Sequence, residues 1–136
     1  LHSRALLRLF SDMTIAQVCS LPEGVHNAKP FLNGIIFNDT KSDVLRYIDR
    51  AGDSKVFKVP AYNEEDLQFH DVDSTQIARQ AFGRGLCTVN DQVVAAGSSP
   101  STVSLYDIHS GKRIAAVNLT MDIRNAIHGL EVWPFE

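Results

Sequence analysis

The sequence is poor in the features that would assign it quickly. It has two cysteines, Cys19 and Cys87, and no Cys-x-x-Cys pair. Two are too few for a disulfide framework, so both read as buried thiols in apolar, strand-like stretches, and the redox compartment stays open. No apolar run approaches the roughly 18 residues of a membrane span. Thirteen Lys and Arg against sixteen Asp and Glu leave a formal net charge of −3. The basic residues form no stripe, which argues against nucleic acid as a partner. There is no Gly-x-Gly-x-x-Gly, Walker loop, Gly-x-Ser-x-Gly or His-Glu-x-x-His, and Gly83-Arg84-Gly85 is too short for a phosphate loop. The opening Leu1–Phe10 lacks the long apolar centre and cleavage site of a signal peptide. With Leu at position 1, the chain reads as a processed or truncated piece. It is soluble in composition, at 44% hydrophobic residues, and its compartment is undefined. Its 136 residues suit one domain.

What the sequence does have is repetition. Val25-His26-Asn27-Ala28-Lys29-Pro30-Phe31, Gly83-Arg84-Gly85-Leu86-Cys87-Thr88-Val89 and Ile127-His128-Gly129-Leu130-Glu131-Val132-Trp133 can be laid over one another. Each has a basic or imidazole residue, a small or turn-forming one, then a short apolar run. After the first two copies, residues 32–38 match 90–96, and Val44–Gly52 matches Val103–Gly111, which sets Tyr47 over Tyr106. The repeat makes His26, Arg84 and His128 equivalent positions.

The pattern predicts strands at Ala28–Phe31, Gly34–Asn38, Val44–Asp49 and Lys55–Val59, then at Leu86–Val89, Gln92–Ala96, Val103–Ile108 and Arg113–Leu119, joined by Asn, Asp, Gly and Ser turns. Residues 13–21 predict a further strand. Residues 1–12 are amphipathic, with Leu6, Leu9 and Phe10 on one side, and predict a short helix. The spacing from His26 to Arg84 is 58 residues, and from Arg84 to His128 it is 44. The excess of 14 is accounted for by the acidic segment from Ala61 to about Ser74, within an insert taken as 61–82, and Ser74 is a candidate N-cap for a helix over 75–81. The chain thus divides into an N-terminal segment and closing strand (1–24), a first unit with the insert (25–82), a second unit (83–124) and the first strand of a third (125–136).

Four-stranded antiparallel units of about 40 to 45 residues, ending in a turn such as Tyr106-Asp107-Ile108-His109-Ser110-Gly111, resemble the blades of a β-propeller at the quinoprotein-like and WD40-like superfamily level. The blades carry neither the Gly-His nor the Trp-Asp dipeptide of WD40 repeats. The expected fold is all-β, made of four-stranded meander blades as part of a ring. A twisted β-sandwich built from a duplicated meander is the alternative. Two complete units do not close a ring, so the resemblance implies a longer chain or a homo-oligomer.

In a propeller the first strand of each blade lines the axis. His26, Arg84 and His128 would then converge on one rim, which suits an anionic group: Arg offers a planar fork, and His donates hydrogen bonds or carries protons near neutral pH. The constellation looks like that of aryl sulfotransferases and streptogramin-type lyases. Asn27, Asn125 and Glu131 are candidate binding residues beside the trio. A structural role competes with this, with the histidines bonded to nearby backbone and Arg84 paired to Glu131 or Asp91. His70, Asp71 and Asp73 are weak candidates for a divalent metal, and no cofactor is implied. Three functions stand side by side: a module binding a small polar or anionic ligand or a protein partner, an enzyme (transferase, lyase or hydrolase) acting on an anionic small molecule through axial His and Arg, and a scaffold.

Overall fold

Short alternating runs interrupted by turn residues satisfy their backbone groups only by pairing with neighbouring runs. The computed structural model describes residues 4–70 and 79–135. Its strands are β1 (Ala5–Leu9), β2 (Ile15–Ser20), β3 (Val25–Phe31), β4 (Gly34–Asp39), β5 (Val44–Asp49), β6 (Ser54–Lys58), β7 (Leu86–Thr88), β8 (Val93–Ser98), β9 (Thr102–Asp107) and β10 (Lys112–Asn118). They form a hairpin, β1–β2, and two antiparallel meanders, β3-β4-β5-β6 and β7-β8-β9-β10. The fold is all-β, and the eight strands expected in the two units are present. Among the described residues no helix is long and apolar enough to cross a membrane, and both cysteines are free.

Three local expectations need correction or fall outside view. The short N-terminal helix is instead β1, which pairs with β2 in a register that sets Leu9 opposite Ile15. The turn between them decides this. Phe10 N donates to Thr14 O at 2.9 Å, and the Asp12 carboxylate accepts from Thr14 N at 3.0 Å and Thr14 Oγ1 at 2.7 Å. The third unit's first strand is not formed: residues 129–135 join no ladder among the described residues. Most of the helix expected over 75–81 lies outside the described residues, and Ala81 itself sits at φ 60°, in the left-handed region.

The repeat is present, but one residue out of the register the sequence suggests. Asp49 caps the β5–β6 turn by accepting from Ala51 N and Asp53 N, both at 2.9 Å. Asp107 caps the β9–β10 turn by accepting from His109 N at 2.8 Å and Ser110 N at 3.0 Å. Gly34 pairs with Asp49, and Val93 pairs with Asp107. The true counterpart of the Ile36–Tyr47 pair is therefore Ala95–Leu105, and Tyr106 has slipped past Tyr47. The second turn holds one more residue between its Asp and its Gly, which is what misled the alignment.

A slip of one residue turns a strand over, and the core shows the consequence. Phe57, paired with Leu45, meets Tyr106 edge-on at 5.6 Å between ring centroids, and the Tyr106 hydroxyl donates to Lys58 O at 3.1 Å. Ile36, Leu45, Tyr47 and Phe57 from the first sheet and Leu86, Val94, Ala96 and Tyr106 from the second are buried together. Tyr47 and Tyr106 thus point toward each other across the core. The counterparts of Ile36 and Tyr47 lie on the far face of the second sheet. There Gly97 is so close to the following segment that an added Cβ would lie 2.6 Å from Ile127 Cβ. Corresponding faces of the two sheets look the same way, and each is met by the chain that follows it: Asn38 of β4 by residues 83–85, and its counterpart Gly97 by Ile127.

Candidate functional site

The site is built where these crossings occur. Residues 83–85 enter β7 with their backbone zipped to β8: Arg84 N donates to Gly97 O at 2.8 Å, and Gly97 N donates to Gly85 O at 2.9 Å. Their remaining acceptor capacity is taken by side chains of the first sheet. Thr40 Oγ1 donates to Gly83 O at 2.7 Å, and Asn38 Nδ2 donates to Arg84 O at 3.1 Å and Gly85 O at 3.0 Å. Glycine at position 83 leaves room for this approach, since a Cβ there would lie 2.9 Å from Asn38 Oδ1 and the Asn38 amide would have to shift. From the other side, Gly85 N donates to Ile127 O at 2.7 Å, which sets His128 beside Arg84.

His26 arrives through a bulge. The β3–β4 register shifts between His26 and Lys29, and Asn27 takes φ 52°, a conformation that Asn tolerates better than most residues. Bulges re-aim side chains in this way. Asn27 Nδ2 donates to Arg84 O and, at 3.4 Å, to His128 O, so one amide ties all three repeats together.

The three expected residues do meet, around a ring that the sequence reading overlooked. The His26 ring lies 5.7 Å from that of Phe82. The guanidinium carbons of Arg84 and Arg79 lie 4.8 and 5.4 Å from the Phe82 centroid, within cation–π range. Arg84 Nη1 donates to His128 Nδ1 at 3.2 Å. Arg79 is neutralised by Asp43 and also donates to Thr40 O. Arg84 has no carboxylate within ion-pair distance among the described residues, and its buried Nε has no partner. Glu131, one of its expected counter-ions, lies instead 4.0 Å from Lys29.

Hydrogen-bond direction fixes the ring states. His26 Nδ1 lies 3.1 Å from Gly24 O and 2.9 Å from Thr40 Oγ1. The carbonyl can only accept, and the Thr40 proton is committed to Gly83 O, so Nδ1 carries the hydrogen. In the neutral ring Nε2 is then a free base. Burial, followed by the charge of Arg84, holds the His26 pKa below the ordinary imidazole value. His128 accepts at Nδ1, so its own hydrogen is on Nε2.

Two cavities adjoin this cluster. A space of about 80 Å³ is lined by Phe82, Arg84, Ser99, Ile123, Ala126 and His128. The larger, about 470 Å³, lies between the β1–β2 hairpin and β3 and is lined by Arg4, Leu6, Leu21, Glu23, His26 and Asn27. The smaller borders Arg84, which has no carboxylate partner among the described residues; in the larger, Arg4 is paired to Glu23 at 3.2 Å.

The other candidates stand apart. Asn125 donates its backbone N to Asp122 O in a turn and is exposed. His70 is exposed, with Nδ1 3.1 Å from Leu67 O, and Asp71 and Asp73 lie outside the described residues. Among the described residues no group of three or more His, Cys, Asp or Glu is arranged to hold a metal ion. Thr40, Arg79 and Phe82 were legible only as an ordinary turn residue and two neighbours of the Gly-Arg-Gly string. No protein-family model matches the chain, and no curated protein matches it.

Proposed function

We propose that this chain is a propeller-type domain that binds a small oxyanion beside its inner strands, with Arg84 as the anchoring charge and His26 and His128 flanking it. The observation that carries the proposal is the state of Arg84: partly buried, bonded to a neutral imidazole and, among the described residues, without a carboxylate partner and with a buried Nε that donates to nothing. An uncompensated charge in such a place is costly unless a ligand supplies the opposite one. A guanidinium fork suits an oxyanion, and the cavity of about 80 Å³ suits a small one.

The propeller part rests on how the sheets stack. Blades around an axis present the same face to the next blade, whereas a duplicated meander folded as a sandwich brings equivalent faces together. The same-facing arrangement of Tyr47 and Leu105 favours blades. The ring is then completed by further blades, from a longer chain or from additional copies.

Calorimetric titration with sulfate at low ionic strength tests the anion site. Saturable binding is expected, weakened at least tenfold in Arg84→Gln, where a charge-assisted bond of about 1.5–3 kcal/mol is lost, and unchanged in a Lys112→Gln control on exposed β10. Equal binding by wild type and Arg84→Gln sinks the reading.

A specific observation favours a second reading, that of an enzyme acting on an anionic small molecule. His26 presents a free basic Nε2 whose proton affinity is lowered, beside a guanidinium able to stabilise developing negative charge. Under that reading His26→Asn abolishes turnover while leaving sulfate affinity within about threefold.

A further inference from the structure

Resting on the reading of Arg84 as an anion anchor, we infer that the site takes up its oxyanion together with a proton, which enters at His128 Nδ1. In the free site Arg84 Nη1 donates to His128 Nδ1 at 3.2 Å, so that nitrogen must carry no hydrogen. An arriving oxyanion offers Arg84 a better acceptor, since it brings the opposite charge and a geometry that the guanidinium fork can meet with two parallel bonds. Once Nη1 turns to the anion, His128 Nδ1 is left as an unpaired acceptor facing a negative oxygen. Protonation of Nδ1 converts that clash into a second charge-assisted donor. The balance is simple: one proton moves from hydronium or a buffer acid to Nδ1, an N–H bond forms as the donor's bond to that hydrogen breaks, and no heavy-atom bond changes.

Among the described residues, the charged and titratable groups that face the ring are few. Against His128 stand Arg84 and, across the Phe82 ring, Arg79, which Asp43 already neutralises. From β3 comes His26, neutral and bonded through Nδ1–H to Gly24 O and Thr40 Oγ1. On the segment of His128 itself, Glu131 is exposed and 4.0 Å from Lys29. Among the described residues the nearest net charge is thus the positive one on Arg84, which has no carboxylate partner there, and an oxyanion offsets it. By linkage, a ligand that favours the protonated ring binds more tightly wherever that ring would otherwise be neutral.

Sulfate is the probe, because its own charge is constant from pH 5.5 to 8. Wild-type affinity is expected to rise at least tenfold between pH 8 and pH 5.5, as uptake of one proton allows up to about tenfold per pH unit. In His128→Asn, which keeps an acceptor for Arg84 but does not titrate, the rise falls below about threefold. In parallel, ¹⁵N imidazole shifts at pH 7 are expected to show His128 becoming doubly protonated on saturation with sulfate. Sulfate binding that is flat with pH, or His128 remaining singly protonated in the complex, overturns the proton coupling and leaves the anion site standing. No saturable sulfate binding even at pH 5.5 overturns the anion site itself.

Discussion

Replacing Asn38 by Asp tests whether the two sheets are held together in the way described. Asn38 is fully buried, and its Nδ2 donates to the carbonyls of Arg84 and Gly85 at 3.1 and 3.0 Å. An aspartate is the same size, but it sets a carboxylate oxygen against two carbonyl oxygens. Two lost hydrogen bonds cost about 1 kcal/mol each, and an unpaired buried charge costs about 3 kcal/mol or more. The sum, about 5 kcal/mol at pH 8, is as large as the whole stability of many domains. Burial beside two acceptors raises the carboxyl pKa in the folded state above its unfolded value of about 3.9. The folded state then binds more protons, so the deficit grows as pH rises from that value through the folded pKa and is relieved as pH falls. Asn38→Ala loses the same bonds without the charge, so it should cost about 2 kcal/mol at any pH. Urea unfolding of both variants at pH 5 and pH 8 makes the comparison. Equal stability of the Ala and Asp variants at both pH values, or an Asp variant within about 1 kcal/mol of wild type at pH 8, refutes the packing argument.

Two further predictions address the site. Gly97→Val drives a Cβ to 2.6 Å from Ile127; overpacking of this kind costs about 1–3 kcal/mol, and it should weaken sulfate binding by displacing His128 while the circular dichroism spectrum keeps its strand content. An unchanged sulfate affinity would show that Ile127 does not position His128. The depressed pKa of His26 means that the native state favours the neutral ring, so this residue contributes stability present above the unfolded value of about 6.5 and lost as pH falls through the folded value. His26→Asn, which retains a donor near the Nδ1 position, should flatten the fall in melting temperature between pH 7 and pH 5, and an identical fall in the two proteins contradicts the assignment.

Much of the architecture was legible because it is local. Turn residues and alternation locate β4, β5, β8 and β9 almost to the residue, since a tight turn needs Asn, Asp or Gly whatever surrounds it. The equivalence of His26, Arg84 and His128 was also legible, because each begins a unit. The N-terminal hairpin was not, because twelve residues with leucines at both helical and alternating spacings satisfy either pattern, and the Asp12–Thr14 turn decides only once the strands pair. Phe82 and Arg79 were hidden for a different reason. Neither belongs to the repeat, and what brings them to the site is the insert's return path, of which residues 71–78 lie outside the described part. The free state of Arg84 was beyond reach as well: Glu131 is equally available in the sequence, and only the fold gives it to Lys29.

The register error shows which residues carried the information. Tyr47 and Tyr106 look like the same residue of two repeats, and matching them makes the two core faces equivalent, which is the signature of a sandwich. Matching the turn-capping Asp49 and Asp107 instead turns one strand over, and the tyrosines become opposite sides of one interface. Then Asn38 and Gly97 fall at the same position of their sheets, and both are where the next segment of chain presses closest. An amide at the first crossing and the absence of any side chain at the second hold Arg84 and His128 side by side. The basic cluster thus depends on which face each sheet turns to the segment that follows it: in the opposite orientation Gly97 would face the core, Ile127 would have no surface to cross, and Arg84 would lose its imidazole partner.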